Sequence, residues 1–95
     1  MKKVKNNIVL DSFINEQGKN SEYINHTQNL YIQNGLLINY TTIIAVWYNG
    51  KCYVNPKRYS STTSKHQNYL KRTCKDVIIL EFDKYKEIEF KAIGK

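Results

Sequence analysis

The stretch Leu30-Tyr-Ile-Gln-Asn-Gly-Leu-Leu-Ile-Asn-Tyr-Thr-Thr-Ile-Ile-Ala-Val-Trp-Tyr-Asn-Gly-Lys-Cys-Tyr-Val-Asn55 contains two Asn-Gly pairs, Asn34-Gly35 and Asn49-Gly50, each between runs of strand formers. A type I′ turn needs positive φ at both central residues, and Asn followed by Gly accepts that conformation at least steric cost. Two such turns in succession define an antiparallel meander. If the second is a two-residue loop, Tyr48 pairs with Lys51, Trp47 with Cys52, Val46 with Tyr53 and Ala45 with Val54. One sheet face then carries Ile43, Ala45, Trp47, Cys52 and Val54, and the other Ile44, Val46, Tyr48, Lys51 and Tyr53. The first set makes the better core. On the second, Tyr48 and Tyr53 are candidate aromatic contacts for nucleic-acid bases, although their neighbours Ile44 and Val46 favour packing over stacking.

Pro56 has no amide hydrogen for a sheet ladder and ends this region. A helix is expected from about Thr63 to Cys74. Ser64 with Gln67 fits a capping box, and Ser61 or Thr62 are competing caps one turn earlier. On that helix His66, Tyr69, Leu70, Thr73 and Cys74 share one face, and Lys65, Asn68, Lys71, Arg72 and Lys75 share the other. Downstream, the apolar run 77–82 and the period-two alternation of 87–93 read as two closing strands. Upstream, 8–14 forms an apolar island, a strand or one helical turn, and 16–28 is too polar to offset the entropy of ordering it.

The expected fold is therefore α+β: a single domain over residues 29–95, preceded by an N-terminal arm or linker over 1–28. Its antiparallel sheet of about four to six strands is covered on one face by the basic helix. The expected core is Ile43, Ala45, Trp47, Val54, Leu70, Ile78, Leu80 and Phe90.

Charge points to the class of partner. The 95 residues carry a net charge of +7, and between Tyr23 and Lys75 there is no Asp or Glu. Lys51, Lys57, Arg58, Lys65, Lys71, Arg72 and Lys75 all fall in that interval. A solvated helix exterior normally mixes both signs, so an unmixed basic face implies a polyanion. At the expected helix start, unpaired amides and the hydroxyls of Ser60, Ser61, Thr62, Thr63 and Ser64 lie beside Arg58 and Lys65, donors suited to a phosphate. The capping role alone accounts for one or two of those hydroxyls. The candidate contacts are Arg58, Ser61, Thr62, Thr63, Ser64, Lys65, Lys71, Arg72 and Lys75. The partners they imply are nucleic acid or a host nucleoprotein complex, with a small phosphate ligand at the helix start as a weaker alternative.

Other classes find less support. No apolar run approaches the roughly 20 residues of a transmembrane helix. Lys2, Lys3 and Lys5 are followed by too short an apolar stretch for a signal peptide, so a cytoplasmic protein of a bacterial cell is expected. Cys52 and Cys74 lack the spacing of a zinc knuckle or redox pair and read as buried thiols. His66 lies on the apolar helix face with no nucleophile and acid fixed around it. No catalytic residue, metal or cofactor is expected.

Tyr40-Thr-Thr-Ile-Ile-Ala45 and Tyr59-Ser-Ser-Thr-Thr-Ser-Lys-His-Gln67 together resemble a group of small, mostly uncharacterised proteins of bacteriophages and other mobile elements. That group carries a Tyr-x-Thr-x-Ile-Ala strand and then a Tyr-Ser-x-Thr-Thr-Ser-Lys helix start. The resemblance spans about residues 30–72, and Ile43 stands where the group tends to have proline. It implies a viral or mobile-element accessory protein rather than a metabolic enzyme. By analogy it also implies a protein-protein inhibitor of a host defence nuclease, anti-CRISPR-like or otherwise anti-defence.

Overall fold

The computed structural model describes residues 1–94. Both Asn-Gly turns form as expected, with φ of 51° and 80° at Asn34 and Gly35 and of 52° and 74° at Asn49 and Gly50. The first joins β3 (Leu30–Gln33) to β4 (Leu36–Asn39), and the second joins β5 (Thr42–Tyr48) to β6 (Lys51–Val54). The β5–β6 register is Ala45 opposite Val54, Val46 opposite Tyr53, Trp47 opposite Cys52 and Tyr48 opposite Lys51.

The simple alternation breaks at one point. Leu37 faces Ala45 but Ile38 faces Ile43, so Ile44 is the extra residue of a bulge. The bulge exchanges two side chains between faces: Ile44 joins Ala45 in the main core, and Ile43 packs with Val46 on the other side. The expected placement of Ile43 beside Ala45 is thereby corrected.

Each edge of the seven-stranded sheet is a parallel pair. β1 (Lys2–Val4) pairs with β2 (Tyr23–Asn25) through helix α1 (Asn6–Asn15), and β6 pairs with β7 (Val77–Ile78) through helix α2 (Ser61–Thr73). Strands β2 to β6 are successively antiparallel, so β2 and β6 point the same way. Both crossovers also step in the same direction along the sheet. With a common crossover hand, α1 and α2 must lie on one face, run parallel to each other, and start at the same end. The contacts agree: Val9, Leu10 and Phe13 of α1 and Leu70 of α2 share one apolar cluster with Ile32, Leu37, Ala45 and Val54.

Residues 1–28, expected as an arm or linker, are thus part of the fold. Helix α1 stops in a Schellman motif: Gln17 takes φ 53°, Gly18 takes φ 71°, and the Gly18 amide donates to Phe13 O at 3.0 Å. The same carbonyl accepts from the Trp47 indole Nε1 at 2.7 Å, and the Gly35 amide donates to Gly18 O at 3.2 Å. The helix end is therefore stitched to the first hairpin.

The two expected C-terminal strands are also corrected. Beyond the short β7, residues Phe82–Ile93 form a third helix, α3. Its buried positions Tyr85, Glu89 and Ala92 fall three and four apart, and Lys, Glu and Ala favour helix over strand. Helix α3 covers the second sheet face, where Tyr85 packs with Val46, Tyr48, Tyr53 and Ile88. Phe90, expected in the core, is 78% exposed on the outer side of α3. Ile78 and Leu80 are half-buried, Trp47 packs at the margin of the main core, and Ala45, Val54 and Leu70 are fully buried. No helix among the described residues is long and apolar enough to cross a membrane.

A candidate phosphate-binding face on helix α2

Three buried asparagines close the end of the sheet at which α1 and α2 begin. Asn25, the last residue of β2, donates through Nδ2 to Asn6 Oδ1 at 2.8 Å and accepts at Oδ1 from the Asn29 and Leu30 amides. Asn39, the last residue of β4, donates to Asn29 O at 2.9 Å and accepts from Thr63 Oγ1 at 2.7 Å. Asn55, just after β6, donates to Ile43 O at 3.0 Å and Tyr59 Oη at 2.9 Å, and accepts from the Lys57 amide at 2.9 Å. Buried amides must be satisfied, which makes each an anchor. Together they fix the first turns of both helices and the segment 55–59 between β6 and α2.

The helix starts earlier than its sequence suggests. Ser60 is the N-cap, and its Oγ accepts from the Thr63 amide at 3.2 Å. Ser64 and Gln67 therefore form no capping box. Gln67 is buried and donates to Asn55 O at 2.8 Å and Lys57 O at 3.1 Å, pinning the 55–57 segment to the helix. Thr63 is buried and committed to Asn39, which removes its hydroxyl from the candidate anion donors. Ser61 and Thr62 are exposed and Ser64 is half-buried.

Arg58 and Lys57 flank the helix start. Arg58 shares one shallow groove with Ser61, Ser64, Lys65 and Asn68, and a second with Lys57, Ser64, Asn68 and Lys71. Lys57 is held over the rings of Tyr59 and Phe82, at 5.5 and 5.4 Å from the centroids. Arg72 lies on the far side of the helix, 5.8 Å from the Tyr69 ring. Lys75 follows the C-cap residue Cys74, about 20 Å along the axis from Ser61 at 1.5 Å per residue, and does not belong with the others. Tyr48 and Tyr53 are half-buried beneath α3; their rings serve packing there. The anchoring asparagines have no place in the sequence-based expectations. A legible signal for them is that Asn25, Asn39 and Asn55 each end an apolar strand.

The electrostatics of α2 are one-sided. Its first turn has no acidic residue, while Lys71 and Arg72 occupy the last turn. Cations at a helix C-terminus stabilise it, whereas cations at the positive N-terminus oppose the dipole. Lys71 and Arg72 therefore complement the dipole, whereas Arg58 and Lys65 oppose it. Among the described residues the one ion pair joins Lys86 and Glu89 on α3, so no α2 cation is held in an ion pair. Elsewhere, Cys52 and Cys74 are free and buried; burial pushes the Cys52 thiol well above its ordinary value, as does the neighbouring Cys74.

These features define a small α+β domain with two crossover helices on one sheet face and an unneutralised basic surface around one of them. The family of unknown function DUF8033 matches the chain over residues 3–89, and the chain belongs to it. Neither a curated protein nor a solved structure matches the chain.

Proposed function

We propose that this chain is a small non-enzymatic accessory protein of a phage or mobile element, acting in the host cytoplasm. It binds a phosphate-bearing target, either nucleic acid or a nucleic-acid-processing complex, through the start and outer face of α2. The contacts are Lys57, Arg58, Ser61, Ser64, Lys65, Lys71 and Arg72. The observation that carries this reading is the placement of Lys57, Arg58 and Lys65 around the positive end of α2 with no ion-pair partner. The helix dipole disfavours cations at this end, and an anion bound among them reverses that cost. Such a surface follows a backbone without reading sequence and binds at micromolar strength or weaker, with strong salt dependence. The test is a polarisation titration with duplex DNA, single-stranded DNA and RNA at two salt concentrations. Absence of binding at low salt to all three removes this reading.

A second reading, a protein-protein inhibitor of a host defence nuclease, draws on α3. Its outer side exposes Phe90 at 78% and Ile93 at 58%, a pair of large apolar side chains suited to a protein contact. Pull-down from host lysate with and without nuclease treatment separates the two: a partner retained after nuclease treatment and lost on Phe90→Asp supports the second reading.

A further inference from the structure

Helices α1 and α2 begin side by side, and a single groove of about 490 Å³ runs between them from their first turns to Arg72 in the last turn of α2. Asn6 and Asn7 of α1 form one wall, Thr62, Lys65 and Arg72 of α2 form the other, and His66 sits at the base. Neither helix has an acidic residue in its first turn, and Lys5, the N-cap of α1, makes no side-chain capping bond. The positive ends of both helices therefore lie at one end of this groove. The nearby Asp11 carboxylate accepts from Tyr69 Oη at 2.6 Å, and Arg72 is held along the wall by the Tyr69 ring.

His66 is the observation that points to a ligand. It is only 5% exposed, yet neither ring nitrogen bonds to any described residue, and neither is sealed from the groove. A deeply placed imidazole with no protein partner leaves its nitrogens to solvent or to a ligand, and here it sits in the second turn of α2, in a groove shared with the cations Lys65 and Arg72. Burial lowers its pKa and so favours the neutral ring; in that form one nitrogen donates, and the other becomes a donor on protonation.

We propose that this groove seats a phosphate monoester, the terminal phosphate of the nucleic-acid strand that α2 holds; the inference rests on the reading of the α2 face given above. A monoester presents three terminal oxygens and a charge near −2. That matches donors arriving from α1, from α2 and from His66. An internal phosphodiester has two free oxygens and one charge, and its chain must leave on both sides, across the Asn6 and Asn7 wall. Lys57, Arg58 and Lys71 continue the basic surface on the other flank of α2, where the rest of the strand runs.

The experiment compares internally labelled single strands of one sequence bearing a 5′-phosphate, a 3′-phosphate or hydroxyls at both ends. One phosphorylated strand binds about tenfold more tightly than the hydroxyl strand, the gain expected from one or two added charge-assisted hydrogen bonds. His66→Asn reduces that preference at least threefold and leaves binding of the hydroxyl strand nearly unchanged. Equal binding of all three strands overturns the inference while leaving the α2 reading intact; no binding of any strand removes both. Should His66→Asn fail to fold, the wild-type protein supplies an independent readout. Titration with inorganic phosphate shifts the ring resonances of His66 and not those of His26, and an unmoved His66 overturns the proposal.

Discussion

Thr63 and Ser64 are adjacent hydroxyls with opposite expected roles. Thr63 Oγ1 donates at 2.7 Å to Oδ1 of Asn39, which is fully buried, while Asn39 Nδ2 is occupied by Asn29 O. Thr63→Val keeps the shape and helix propensity of the side chain but leaves Asn39 Oδ1 without its donor. An orphaned buried acceptor costs about 1 to 3 kcal/mol. In a domain of this size that lowers Tm by roughly 5 to 20 °C. Ser64 is half-buried and makes no side-chain hydrogen bond to a described residue, so Ser64→Ala shifts stability by no more than about 0.5 kcal/mol. Its effect falls on binding. Urea denaturation monitored by Trp47 fluorescence gives the first quantity, and polarisation with a labelled single strand gives the second. The reasoning fails if Thr63→Val is as stable as wild type, or if Ser64→Ala loses stability to the same extent.

Gly18 and Gly50 share positive φ, 71° and 74°, but a Cβ at Gly18 meets Gly35 Cα at 2.8 Å and Trp47 Cδ1 at 3.2 Å, whereas one at Gly50 meets open space. Gly50→Ala therefore costs about 1 kcal/mol from backbone strain. Gly18→Ala adds a further 1 to 3 kcal/mol of steric cost; equal losses in denaturant titrations would show that α1 does not dock on the hairpin. Burial lowers the His66 pKa below its ordinary value of 6.5, so the unfolded chain takes up a proton that the folded chain refuses. This stability is present above about pH 6.5 and is lost as pH falls from there toward the folded pKa. His66→Asn flattens this part of the stability profile in phosphate-free buffer; an unchanged slope between pH 7.5 and 5.5 contradicts the placement of His66.

The parts of the fold set by neighbouring residues were legible, and the parts set by distant pairing were not. Asn34-Gly35 and Asn49-Gly50 determine both the turns and the β5–β6 register, because positive φ is a local demand. The bulge at Ile44 arises from how β4 aligns against β5, which nothing in the β5 sequence marks. Helix α1 lacks a side-chain N-cap, and β1 and β2 find each other only across that helix. Glu87 to Ile93 alternates with period two, but the same residues supply Ile88 and Ala92 to a helical face. At the site, Arg58, Ser61, Ser64, Lys65, Lys71 and Arg72 do gather around α2. Thr63 is taken by a long-range bond to Asn39, and the groove beside His66 exists because two crossovers bring α1 against α2.

The central claim is that the α2 cations engage phosphates. Its most direct test is the salt dependence of single-strand binding by the wild type and by Arg58→Gln/Lys71→Gln. With four or five phosphates contacted, log K falls against log salt with a slope of about −3, and removing two contacts makes it shallower by about 1.4. A slope near zero, or identical slopes for the two proteins, contradicts the account.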